Sequence, residues 1–216
     1  MMTEIKDVRI YIFNNNDGKS AEERLRESVT DYNKAYVGIL GGNVTDLKEK
    51  LQIARTDRGK PYFPRLPEIH FSISHSGAYW GCAVATEPIG MDLQEHTRLK
   101  DETVEEASIR FLKLAKRFLH PKEAEFVKHD AYNRFFTVWT AKESYVKYTG
   151  RGIDDEFSER CVIPEKTELW TQFLVKNDVV IWNSQTEWFS SEKYQENYTL
   201  CICTQNKHRA LVLKCY

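Results

Sequence analysis

The sequence has little of what marks membrane, secreted or nucleic-acid-binding chains. Its longest apolar run, Trp80 to Ala85, falls far short of the roughly 20 residues a membrane helix needs. Five cysteines in 216 residues, Cys82, Cys161, Cys201, Cys203 and Cys215, form an odd, scattered set. No disulfide framework is expected from them, and a reducing cytoplasm is. The opening MMTEIKDVRIYIF carries too much charge for a signal peptide. Lys plus Arg number 31 against 32 Asp plus Glu, a formal net charge of −1, which gives no support to a generally basic nucleic-acid binder. No internal repeat and no low-complexity tract stands out. What is present is 41% hydrophobic and 12% aromatic residues, enough for a folded core. The length suits one large domain or two small halves packed together.

Hydrophobic periodicity divides the chain into elements. Val8 to Phe13 reads as a strand, followed by the turn cluster NNNDGKS. Ser20 to Ile39 reads as a helix, with Ser20 and Glu23 in a capping-box pattern and Gly41-Gly42 at its end. Leu47 to Ile53 is undecided between helix and strand. Arg55 to Pro67, RTDRGKPYFPRLP, is a loop holding three of the six prolines. Ile69, Phe71 and Ile73 alternate with His70, Ser72 and Ser74, a half-buried strand. Ser76-Gly77 turns it into a second strand, Tyr79 to Thr86. A third opens at Pro88, with Ile89, Met91 and Leu93 on one face and Gly90, Asp92 and Gln94 on the other. Glu102 to Leu119 is amphipathic at the helical period. Pro121 begins a short helix, and Arg134 to Tyr148 is a long one that Gly150 stops. Four further strands are expected: Glu168 to Val175, Asp178 to Asn183, Tyr198 to Thr204 and Ala210 to Cys215. Cys201 and Cys203 share one face of the third of these and read as small buried residues, not a metal half-site. Hairpins with two or three long helices argue an α+β fold, with a boundary near His96 to Asp101.

Chemistry-bearing residue types gather in four places. Trp139, Glu143 and Lys147, four apart, form one helical stripe. A surface ion pair would look the same, but the tryptophan at its head puts the stripe at the rim of the core. Asp92 lies in an apolar strand, where an acid is disfavoured. If buried it needs a donor or a cation, which a hard divalent ion would supply; a strand end at the surface is the other reading. Phe71-Ser72-Ile73-Ser74-His75-Ser76 ends a strand in hydroxyls and an imidazole. Ser74 and His75 are adjacent on an extended chain and point to opposite faces. That argues against a nucleophile and base, and suits phosphate contact better. Arg55, Arg58 and Lys60 crowd a Gly-Pro loop, which reads as phosphate binding or as a solvated turn.

The order of these features is more specific than any one of them: a GKP loop, then F-S-I-S-H-S, then G-x-D, then W-x-x-K-E-S-x-x-K. In that order, over about Arg55 to Ile153 and including the bridge RFLHPKE, the sequence resembles the 4'-phosphopantetheinyl transferases of the longer single-chain (Sfp-like) type. The resemblance implies two similar α+β halves in one chain, residues 1–97 and 98–216, forming a pseudo-dimer with the active site in the cleft between them. It implies transfer of the phosphopantetheine arm of coenzyme A onto a serine of an apo acyl or peptidyl carrier protein, with release of adenosine 3',5'-bisphosphate and dependence on Mg²⁺. Asp92 and Glu143 match the family's metal carboxylates, and Glu143 is also the candidate base. Lys147 matches the lysine that contacts the phosphates. Ser74 and His75 match residues that grip the coenzyme's phosphates, and Arg55, Arg58, Gly59 and Lys60 match the adenosine and 3'-phosphate loop. The expected catalytic set is therefore Glu143, Lys147 and His75. Gln94 falls where many relatives carry a second strand acid. It is expected as a neutral metal ligand in a weaker or more hydrated site. A cytoplasmic monomer is expected, with coenzyme A and the carrier as partners and neither nucleic acid nor membrane.

Two other readings stay open. One is a non-catalytic coenzyme A or carrier-protein binding module of the same fold. The other is a metal-dependent phosphodiesterase or nuclease, which would also use paired carboxylates and basic residues.

Overall fold

The computed structural model describes residues 6–37, 49–154, 156–164 and 180–214. In chain order the elements are β1 (Lys6–Asn14), α1 (Ala21–Tyr32) continuing into a π-helical turn over Asn33–Val37, β2 (Ala54–Arg55), β3 (Pro61–Tyr62), β4 (His70–Ser76), β5 (Tyr79–Ala85) and β6 (Ile89–Glu95). Then come α2 (Val104–Phe118), α3 (Pro121–Lys128), α4 (Ala131–Thr149), the single turn α5 (Glu156–Glu159), β7 (Val180–Ser184), β8 (Glu187–Tyr194), β9 (Tyr198–Thr204) and β10 (His208–Lys214). The fold is α+β.

Two four-stranded sheets carry it. The first runs β10-β1-β5-β4 and the second β6-β9-β8-β7. All their pairings are antiparallel except β1 with β10. Alternation along β1 explains the layering. Tyr11 and Phe13 point outward to Leu25, Val29 and Tyr32 of α1. Val8, Ile10 and Ile12 point inward and meet Met91, Leu93, Leu200 and Ile202 of the second sheet. That sheet's far side, through Phe189, Cys201 and Cys203, is covered by α2, α3 and α4. The layers are thus helix, sheet, sheet, helices. Each part of the sequence lends a strand to the other's sheet: β6 bonds to β9, and β10 bonds to β1. A cut at residue 97 would pass through both pairings.

Local signals set the element ends, with some shifts from the sequence reading. α2 begins at Val104, not Glu102, because Thr103 and Glu106 form its capping box while Glu102 is clasped by Arg110. α4 begins at Ala131, three residues before Arg134, and ends at Gly150, whose φ of 70° is the left-handed cap glycine tolerates. The loop from Arg55 to Pro67 contains the short β2–β3 pair. β8 is not foreseen from the sequence, since Ser190, Ser191, Glu192 and Lys193 break its alternation. Of the expected strands, Glu168 to Val175 lies outside the described residues, as do 178–179, 38–39 of the first helix and Cys215. Cys201 and Cys203 are fully buried on one face of β9, and burial pushes the Cys201 thiol up to about 12. Among the described residues no helix is long and apolar enough to cross a membrane.

Candidate active site

The G-x-D segment is built by close approach. A side chain at Gly90 would overlap the Ser144 carbonyl and the Tyr148 backbone nitrogen, so α4 lies directly on β6 there. Two residues further on the same strand face stands Asp92. The residues of α4 beside that contact, Glu143 and Lys147, are one helical turn apart. A strand acid, a helical acid and a helical lysine are brought together because one residue has no side chain.

Asp92 is buried. Its Oδ1 accepts from Ser74 Oγ at 2.7 Å and from Lys147 Nζ at 2.7 Å. Its Oδ2 is buried with no hydrogen-bond partner. A buried charged oxygen left unpaired costs about 1–3 kcal/mol or more. Glu143 is half-buried, and burial first, then the charge of Asp92, raises its carboxyl above the ordinary range, with Lys147 opposing. Two hard oxygen donors, one orphaned and one held back from ionising, suit a divalent cation that would neutralise both. Among the described residues no group of three or more His, Cys, Asp or Glu could hold a metal; what this cluster offers a cation is the two carboxylates of Asp92 and Glu143. Mg²⁺ tolerates this, since it retains several waters and takes substrate phosphate oxygens.

Beside this cluster opens a pocket of about 230 Å³, lined by Arg58, Gly59, Lys60, Ser72, Lys147 and Gly150 among others. Its loop is tied by Thr56 N to Lys60 O (2.9 Å) and Gly59 N to Thr56 O (2.8 Å), with Gly59 at a φ of 86°. Arg55 donates to Gly59 O at 2.9 Å and Arg58 to Arg151 O at 3.2 Å. Lys60 is more enclosed. Its Nζ donates to Tyr148 O at 2.6 Å and Ile89 O at 3.4 Å, and burial holds its ammonium down to about 8. It caps the carbonyl end of α4, where a cation is favoured.

The expected residues therefore separate. Ser74, Asp92, Lys147 and Glu143 form one cluster, and Arg58, Gly59 and Lys60 share a pocket with Lys147. Arg55 bonds within its own loop. His75 is exposed on the outer face of β4, away from the face Ser74 presents to Asp92. Gln94 turns its Nε2 to Ser76 Oγ at 3.4 Å and Glu95 O at 3.3 Å, not to Asp92. The sequence reading included Lys142 and Glu123 in the resemblance's motifs but gave neither a role; they form a fully buried pair at 3.0 Å. One signal for it was available: Lys142 continues the helical stripe of Phe135 and Val138, which is a core stripe.

Comparison with known proteins places the chain in a family. The profile of the 4'-phosphopantetheinyl transferase superfamily matches residues 88–203, which is more than half of the chain. A 4'-phosphopantetheinyl transferase of Bacillus subtilis is 39% identical over 109 residues, covering 47% of this chain and 44% of the relative. The transferase Sfp of Bacillus subtilis (strain 168) is 32% identical over 120 residues, 52% of this chain and 49% of its own length. A Synechocystis relative, provisionally named for the same activity, is 30% identical over 179 residues, 77% of this chain and 68% of its own. The chain spans about half the length of the Bacillus relatives it matches. It belongs to the 4'-phosphopantetheinyl transferase superfamily, among the Sfp-like members.

Proposed function

We propose that the protein transfers the phosphopantetheine arm of coenzyme A to a serine hydroxyl of an apo acyl or peptidyl carrier protein. The bond from the serine oxygen to the phosphopantetheine phosphorus forms, the pyrophosphate P–O bond breaks, and adenosine 3',5'-bisphosphate leaves. Such displacements depend on alignment and charge neutralisation more than on covalent help. The site would lie where β4 and the loop at Arg58 to Lys60 face α4, in a cleft between halves 1–97 and 98–216 that form a pseudo-dimer.

Asp92 and Glu143 would hold Mg²⁺, which supplies charge neutralisation at the pyrophosphate oxygens. Lys147 and Arg58 would balance charge on the phosphates in the pocket they share. Glu143 would take the serine proton, directly or through one water. Gln94, two places after Asp92 on the same strand face, would offer its Oε1 as a neutral ligand. The observation that carries this reading is Asp92 itself, with one oxygen held by Ser74 and Lys147 and the other left unpartnered.

The test is intact-mass measurement of a panel of apo carrier proteins incubated with the protein, coenzyme A and Mg²⁺. The expected result is a gain of one phosphopantetheine on at least one carrier, lost with chelator. Coenzyme A binding with no mass gain and no bisphosphate release would replace the reading with a binding module.

A further inference from the structure

β4 and β6 face each other across the junction of the two sheets, yet they share no backbone ladder among the described residues. β6 is an edge strand, bonded to β9 on one side only. Its outward backbone groups are buried there and need partners. Three serines two apart on the inner face of β4 supply them. Met91 N donates to Ser72 Oγ at 2.9 Å, and Glu95 N donates to Ser76 Oγ at 2.9 Å. Between these, Ser74 Oγ donates to Asp92 Oδ1 at 2.7 Å. The alternate residues of β4, Phe71 and Ile73, pack on the opposite side toward α1. The spacing of two therefore sends every hydroxyl to β6 and every apolar side chain away from it.

The geometry points to Ser72, Ser74 and Ser76 as positioning residues, a ladder of hydroxyls that seals β4 to the edge of β6 and whose middle rung fixes the Asp92 carboxylate. The outer rungs set the height of β6 against β4. The middle rung, with Lys147, occupies Oδ1 from two directions, so Oδ2 is the oxygen left for a ligand. The metal part rests on the proposed function; the ladder itself does not.

The ladder is tested without metal or substrate by amide hydrogen exchange read by NMR. In the wild type the Met91 and Glu95 amides should be protected like ladder amides. Ser72→Ala should deprotect Met91, and Ser76→Ala should deprotect Glu95, each by tenfold or more. Exchange of both amides at surface rates in the wild type overturns the ladder, whatever the variants do. The middle rung is tested by Mn²⁺ binding followed by electron paramagnetic resonance on the whole protein. Ser74→Ala should weaken Mn²⁺ by about tenfold, the scale of one hydrogen bond to a charged group, and Ser74→Thr, which keeps the hydroxyl, should restore it. Unchanged or tighter binding in Ser74→Ala overturns the positioning role. If the wild type and Asp92→Asn bind Mn²⁺ equally, the metal site of the proposed function fails instead, and the middle rung has nothing to position.

Discussion

Two lysine–carboxylate pairs lie five residues apart on α4, and they differ in what is left over. In the Lys142–Glu123 pair every oxygen is used. Glu123 Oε2 accepts from Lys142 at 3.0 Å and from His120 N at 2.9 Å, and Oε1 accepts from Val162 N at 2.7 Å. Lys142 also donates to Arg160 O at 2.5 Å. The two side chains are 2% and 0% exposed. In the Lys147–Asp92 pair one oxygen is doubly used and the other not at all, and the lysine is 29% exposed on a pocket. Five residues turn a helix by about 140° after a full circle, so the pairs look to different sides. The closed pair ties α4 to α3 and to the segment after α5, fixing the helix's rotation. The open pair receives the benefit. A charge network that satisfies itself builds the scaffold, and one that stops short marks where a ligand's charge is expected.

The sharpest way to separate the two sides is Glu143→Gln. This removes a metal carboxylate charge and the base together, so single-turnover transfer should fall by roughly 10²–10⁴-fold. The melting temperature should hold or rise, because a half-buried charge beside Asp92 is gone. Wild-type turnover in this variant would remove Glu143 from the chemistry. The comparison itself is tested by matched amide substitutions followed by urea unfolding. Glu123→Gln leaves Lys142 uncompensated in the core and should cost about 3–5 kcal/mol. Asp92→Asn leaves a lysine that can reach solvent and relieves Glu143, so its cost should stay within about 1 kcal/mol while transfer is lost. Equal costs would mean that the second pair is structural as well.

The same contrast explains what could be read in the sequence. Asp92, Glu143 and Lys147 were singled out by the order of motifs that carries the family resemblance, since each alone also reads as a surface ion pair or a strand end, and the structure brings the three together. The α+β class was legible because β4 and β6 alternate, β5 is a short apolar run after a Ser-Gly turn, and the caps of α1, α2 and α3 are local. β8 was not, because its polar stretch from Ser190 to Lys193, with both serines buried and Glu192 and Lys193 half-buried, pairs with β9, a pairing no local pattern announces. Lys142 was hidden for a related reason: its partner Glu123 is 19 positions away on another helix. The separation of Ser74 from His75 was legible from strand alternation alone. That Ser74 meets Asp92 was not, since it depends on the packing of β4 over β6.

A smaller effect comes from the contact that assembles the open pair. Gly90→Ala places a methyl group where the backbone of Ser144 and Tyr148 stands, and backbone cannot swing aside as a side chain can. Overpacking of this kind costs about 1–3 kcal/mol, measurable by urea unfolding. Because α4 must lift from β6 at that point, transfer should fall more than stability accounts for, with the Lys142–Glu123 side unaffected. Full activity with wild-type stability would show that the helix need not touch the strand.

Lys60 tests the comparison from a third side, as a lysine at the end of the same helix that is bonded to carbonyls and to no carboxylate among the described residues. Without a partner charge its ammonium is held down to about 8 by burial. Protonated, it adds positive charge to the pocket beside Arg58 and Lys147; above about 8 that charge is lost. A bound phosphate favours the charged form and raises its proton affinity, so by linkage the affinity for adenosine 3',5'-bisphosphate should fall as pH rises past about 8, by a few-fold per unit at most. Titration calorimetry between neutral pH and roughly pH 9 reads this directly, since the ligand's own phosphates are already ionised there. Lys60→Arg, charged throughout, should bind with no such slope. A flat profile in the wild type would mean that the Tyr148 and Ile89 carbonyls keep Lys60 to themselves. It would then belong with Lys142 as scaffold, and Arg58 and Lys147 would be left to hold the phosphates.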